Sequence, residues 1–588
     1  MTIPTLPQND RRPDDRLAAL ATSRAQVDFD RSRPGFVFPS DVPPGQALSF
    51  EWDLKAESLA AATELADIPG ALKIAADNGQ TTAERLTSVA GLLQHWLAHR
   101  PDGPPRPFRP QPWTARPPLT MAEQGLLLGE LPRTEGMARW DEDFYFGWQR
   151  IASDETGLLQ LVTEQTAPAL LARIPLDPRV FARVRPGDDL ARAIAEHRLM
   201  MCDLTILDGV PAGFSDEWRR WLPAPIALFV LAPDRKSLWP VAIQCGPING
   251  DMNPVFTPLD GQAWRMARIC YNGAESTYHG VVEHGALCHL MMGAIAVAMW
   301  RCLAPTHPLR VLLEPHFEMT VGIARSTVEL YVPGGRTPEL QSISVDGIPT
   351  LTDRGWSSFN WHDRSLDRHF ESRGLGSRDV FPDLPVRDDL HIYTVAIKRM
   401  AKSYVDLYYP SDEDVQGDTE LVSWVRTIRA PDGADIPTFG NANGRIDTVD
   451  ELVEAIASII WRASPWHAVV NYPVYETTAY APAYPASLFG PPPRAGQTYV
   501  EADFLGLLPP EKVSRSLLVD LVQVSNLRMN RLGHYPAGTF QDPRVGWLVD
   551  EFQQELEAIA VQIRERNRFR TIPFPFLDPS LVTASVHI

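Results

Sequence analysis

The sequence predicts a mainly α fold: a large multihelical domain with a few short β-strands. Three observations predict it. Long segments repeat apolar residues at steps of three and four, and two of them open on a capping box. Strand-like segments are short and few. The longest apolar run, Leu290–Trp300, is too short to cross a bilayer and reads as a buried core helix.

In chain order, the first part is polar and proline-rich, which predicts a poorly ordered arm over about forty residues. Residues 81–99 predict an amphipathic helix. Thr81 and Glu84 form its capping box, and Leu86, Val89, Ala90, Leu93 and Leu97 its apolar face. Prolines then break Arg100–Pro118. The boundary there separates an N-terminal arm and helical segment, 1–105, from a larger domain, 106–588. "APIALFVLAP" and "LWPVAIQ" read as strands joined by a turn at Asp234–Ser237. Thr448–Asn471, capped by Thr448 and Glu451, and Arg544–Asn567 read as long helices.

The chain has 588 residues and a formal charge of −18, which argues against general nucleic-acid binding. Its five cysteines (Cys202, Cys245, Cys270, Cys288 and Cys302) form no CxxC pair, so a reducing compartment is expected. The N-terminus carries no signal-peptide apolar region, and a cytoplasmic protein is expected.

Three features carry chemistry. His467 and Asn471 are four apart on the face that also holds Ile456, Ile460 and Ala463, so both side chains point the same way into the interior. Alone, this pair is better explained as a core histidine and asparagine satisfied by neighbours. Pro465 should bend that helix. His279 and His284 are five apart, which a straight α-helix places on different faces. A π-bulge would realign them, and Gly280 and Gly285 weaken the α-helix there. On the spacing alone, two unrelated histidines at a helix entrance are the slightly better explanation. Finally, "FPFLDPSLVTASVHI" is an apolar C-terminus, and a buried α-carboxylate needs a partner charge or a metal. Imidazoles, an amide oxygen and a carboxylate without thiolate suit six-coordinate iron or manganese better than structural zinc.

At this point the pattern resembles the lipoxygenases, from about Trp140 to Ile588. "YHGVVEHGALCHL" resembles the family's first metal helix, "HPLRVLLEPHF" its HPxxKLLxPH motif, and "HAVVN" its second metal helix. "CDLTILDGVP", "WRMAR" and the terminal isoleucine also match. The resemblance implies a non-haem iron enzyme, with manganese as the alternative metal. Its ligands would be His279, His284, His467, Asn471 and the carboxylate of Ile588, with His289 a recurrent histidine that is not a ligand. It further implies a dioxygenase that inserts O2 into polyunsaturated fatty acids, through hydrogen abstraction from a bis-allylic carbon by a metal-bound hydroxide. Hydroperoxide isomerase or lyase chemistry on the same fold, or a non-catalytic lipid-binding relative, are the alternatives. The expected partners are a fatty acid and O2. No nucleic acid and no transmembrane segment are expected, and a monomer is.

Several departures from the family pattern stand out. Val474 replaces a frequent glutamine that supports a hydrogen-bond network. Gly280 and Gly285 replace larger residues and should widen the cavity. The family position linked to product stereochemistry falls on Ala324 with a gap, or on Thr327 without one. The N-terminus shows no β-sandwich lipid-binding domain and looks like that of bacterial members.

Overall fold

The computed structural model describes residues 3–77, 119–214, 219–333 and 335–588. The helix expected at 81–99, with its Thr81–Glu84 box, and the boundary at Arg100–Pro118 lie outside the described residues. Among the described residues helices dominate, as the periodicity predicts, together with two small antiparallel sheets. β1 (Phe29–Asp30) pairs with β2 (Phe38–Pro39). A five-stranded meander follows in chain order: β3 (Gln160–Leu161), β4 (Leu199–Asp203), β5 (Ile226–Leu231), β6 (Leu238–Gln244) and β7 (Val255–Phe256). Every residue of β5 is buried, which explains its unbroken apolar run. Pro240 in β6 cannot donate to the ladder, and the register shifts beside its partner Phe229. Behind the sheet, Gly147 lets a helix approach β6: a Cβ there would lie 2.0 Å from the Leu238 carbonyl oxygen.

The N-terminal arm is not loose. Its polar, proline-rich composition hides five core residues, Leu6, Val27, Phe36, Val37 and Phe38. Arg16 forks onto the buried Glu420 at 2.6 and 2.9 Å. Such a two-pronged bond is geometrically specific, so it staples the arm to the body.

Seven helices frame the centre of the molecule. α1 is Phe50–Asp77, and α2 is the 41-residue Gln262–Cys302. The most apolar part of α2 is 94 % buried inside the fold. α3 is Thr320–Leu330 and α4 Pro385–Val405. α5 runs through Val449–Trp461, a π-turn at Arg462–Trp466, and His467–Asn471. Its Thr448–Glu451 capping box is present. α6 is Glu511–Asn526, and α7 is Gly546–Phe569. α2 and α5 meet at the core, α3 packs along α2, and α4 lies between α5 and α7.

Candidate metal centre

The site is built on an irregularity. Within α2, His279–Leu290 is a π-helix of 12 residues flanked by α-helix. Hydrogen bonds from i to i+5 put residues five apart on one face. The histidines at 279, 284 and 289 therefore form a column, with ring centroids 5.6 Å and then 4.6 Å apart.

Tyr331, which closes α3, donates its hydroxyl to the Gly280 carbonyl at 2.9 Å. A Cβ on Gly285 would lie 1.6 Å from that hydroxyl oxygen, and one on Gly280 2.1 Å from the Gln341 amide nitrogen. The two glycines thus do not widen a cavity. They admit Tyr331 and Gln341 against the π-segment. Gly285→Ala should accordingly cost about 2 kcal/mol by overpacking. A second change, Tyr331→Ala, should recover part of that loss; thermal unfolding of both variants checks it.

α5 supplies the opposite wall. Pro465 lies inside its π-turn, where its missing N–H interrupts the α-helical ladder. The turn delivers His467, whose ring stands 5.9 Å from that of His284 and 5.6 Å from that of His289. One turn on, the Asn471 amide nitrogen donates to the Val524 carbonyl at 2.8 Å. Its side chain faces His284, and its buried oxygen makes no hydrogen bond of normal geometry. Val474 sits in an apolar cluster with Leu119, Leu127, Leu518 and Leu521. Packing stands there in place of the polar network that the resemblance suggested.

The C-terminal segment closes the site, and Thr583 to His587 are all buried. Ser464 donates to the Thr583 carbonyl, the His316 ring contacts the Ala584 carbonyl at 2.9 Å, and Thr320 donates to that of Val586 at 2.9 Å. The main-chain oxygen of Ile588 faces His467 without completing a hydrogen bond of normal geometry.

Electrostatics separates the four histidines. Burial lowers His467 to about 4, partly offset by the Ile588 oxygen. Burial, reinforced by neighbouring imidazoles, holds His284 and His289 well below the usual histidine range. All three are neutral, as metal ligation requires. Their ligand atoms lie within 4.8 Å of one another, and the His284 and His289 Nε2 atoms are 2.9 Å apart. Both ring nitrogens of His467, the Asn471 oxygen and His289 Nδ1 are buried without a hydrogen bond of normal geometry. Such unsatisfied polar atoms are costly unless something binds them. The residues present therefore fit a metal ion held by nitrogen and oxygen donors.

His279 is different. Burial opposes its charge, but Asp154, Glu155 and Glu283 outweigh burial and hold it at about 9. Its nitrogens lie 3.8 Å from Asp154 and 3.6 Å from Glu155. It stacks on His284 as a buried imidazolium, outside the three-histidine cluster. The structure thus brings together His284, His467 and Asn471, with Ile588 facing His467, and it adds His289, which the sequence reading set aside. The missed signal was the second five-residue step: a π-helix that aligns 279 with 284 aligns 284 with 289 equally. The stereochemical candidates Ala324 and Thr327 are both buried in α3. Ala324 lies against Gly293 of α2, where a Cβ would approach to 2.5 Å, and the Thr327 hydroxyl bonds back to Ile323 at 2.9 Å.

Comparison with known proteins matches a lipoxygenase family model to residues 220–572. Linoleate 9/13-lipoxygenase of Pseudomonas aeruginosa is 33% identical over 79% of this chain and 69% of its own length. Hydroperoxide isomerase ALOXE3 of Mus musculus is 30% identical over 76% of this chain and 62% of its own. Among solved structures, coral 8R-lipoxygenase superposes with a TM-score of 0.83 at 22% identity, covering all of this chain and 83% of that one. The manganese lipoxygenase of Gaeumannomyces graminis gives 0.78 at 18% identity, with both chains fully covered.

Proposed function

The chain belongs to the lipoxygenase family, and from that premise we propose that it is a metal-dependent dioxygenase that adds O2 to polyunsaturated fatty acids to give conjugated-diene hydroperoxides. One observation carries the reading. Three neutral imidazoles, an unsatisfied amide oxygen and the C-terminal residue converge in a water-poor interior. We assign the metal to His284, His289, His467, Asn471 and the carboxylate of Ile588, with iron as the expected ion and manganese as the alternative. When bound, the metal supplies the one-electron chemistry that a bis-allylic C–H bond requires.

The chain's own residues do the rest. The π-segment aims two imidazoles at one point, and Val524 turns the Asn471 oxygen toward the cluster. Val281, Val282, Ala286, Leu287 and Leu290 are buried around the column and exclude water. The imidazolium of His279, locked among carboxylates, fixes the start of the column without competing for the metal. Ala324 and Thr327 are the residues we propose for control of product stereochemistry.

Metal-loaded protein should consume O2 with linoleic or arachidonic acid and form a product with conjugated-diene absorbance. Metal-loaded protein that forms no diene from several such acids sinks this reading. The relative named as a hydroperoxide isomerase motivates a second one. If supplied fatty-acid hydroperoxide is turned over while O2 uptake is absent, isomerase chemistry replaces dioxygenation.

A further inference from the structure

The last peptide group of the chain is held from a distant element. Trp52, in the first turn of α1, donates its indole N–H to the His587 carbonyl oxygen at 2.7 Å. That carbonyl belongs to the peptide bond joining His587 to Ile588. Its plane sets the direction in which the terminal residue, and so its carboxylate, leaves the segment. Other contacts to the segment's carbonyls act earlier, among them those at Thr583, Ala584 and Val586. The His587 ring is fixed as well, accepting from the Met529 N–H at 3.0 Å and lying 3.2 Å from the Ser585 hydroxyl.

The donor is itself firmly placed. Ser49 caps α1 by accepting the Trp52 backbone N–H at 3.1 Å. Lys55 and Gln523 tie the next turn to Arg528 and to α6, at 3.1 and 2.8 Å. Just before α1, the Gln46 carbonyl closes on α3 where only a glycine fits: a Cβ on Gly322 would lie 2.6 Å from it. The Trp52 ring packs on the main core. α1 also lies outside the residues that the family model matches, 220–572.

We infer that Trp52 is a positioning residue for the metal: its indole N–H orients the His587–Ile588 peptide and thereby the terminal carboxylate ligand. This rests on the metal reading above. Groups that orient a ligand cost roughly 10- to 100-fold in metal affinity when lost. Trp52→Phe keeps the aromatic packing and removes only the donor.

The test uses full-length protein loaded with iron and oxidised to the ferric state, in wild type, Trp52→Phe and the control Leu54→Ala. Leu54 lies on the same helix and is 57% exposed. In Trp52→Phe, iron should pass to a chelator about tenfold faster. Its EPR spectrum should differ from the wild type's, while the metal-free proteins melt alike. Leu54→Ala should match wild type in all three. Equal chelation rates and superimposable EPR spectra overturn the inference. So does a metal-free Trp52→Phe protein destabilised as much as the loaded one, because Trp52 is then only a packing residue. A wild-type protein that takes up neither iron nor manganese overturns the metal reading, and this inference with it.

Discussion

His289→Ala should abolish metal retention and with it O2 uptake, while His279→Gln should keep the metal. The two substitutions separate by charge. His289 is a neutral, buried imidazole whose Nε2 lies 2.9 Å from that of His284, an arrangement that makes sense with a cation between converging lone pairs. Removing it deletes a donor, so metal affinity should fall by more than the roughly 100-fold that marks the loss of a merely supporting group. The metal-free protein should unfold nearly as before. His279→Gln does the reverse. It strips the buried carboxylates of Asp154 and Glu155 of their counter-charge, and breaking a buried pair typically costs about 3 kcal/mol or more. The variant should melt lower and still bind metal. Metal content by elemental analysis, set beside thermal unfolding of the metal-free proteins, reads both outcomes. Metal loss in His279→Gln together with retention in His289→Ala would reverse the assignment.

Deleting Ile588 alone should have an effect of similar size. The bonds to Thr583, Ala584, Val586 and His587 remain, so the segment should stay seated in the shortened chain. The new terminal carboxylate belongs to His587, one residue too early, with its main chain turned toward Trp52 instead of His467. Metal retention and O2 uptake should therefore fall to background, with little change in the melting temperature of the metal-free protein. Activity that survives the deletion removes Ile588 from the ligand set.

Much of this was legible because it is local. A capping box, a three-and-four apolar repeat and two short apolar strands joined by a turn are written in neighbouring residues. Accordingly Thr448–Glu451, α7 and the β5–β6 pair stand where the sequence placed them. The five-residue histidine step announced a π-helix for the same reason: backbone phase is a local property. The choice among its three histidines was not local. It depends on Asp154 and Glu155, more than a hundred residues upstream, which charge His279, and on burial, which keeps His284 and His289 neutral. The arm misled through composition, since five apolar side chains and one arginine fork outweigh its many polar residues. Gly280 and Gly285 could not reveal Tyr331 and Gln341, because a glycine says that something comes close without saying what.

The central claim is that one metal ion sits between the π-helix of α2 and the end of α5. An anomalous-scattering map from iron- or manganese-loaded crystals, collected at the metal's absorption edge, tests it most directly. The account predicts a single strong peak at bonding distance from His284, His289 and His467, with the Ile588 carboxylate on the same ion. A peak bonded to His279, or loaded crystals with no peak among these histidines, would contradict it.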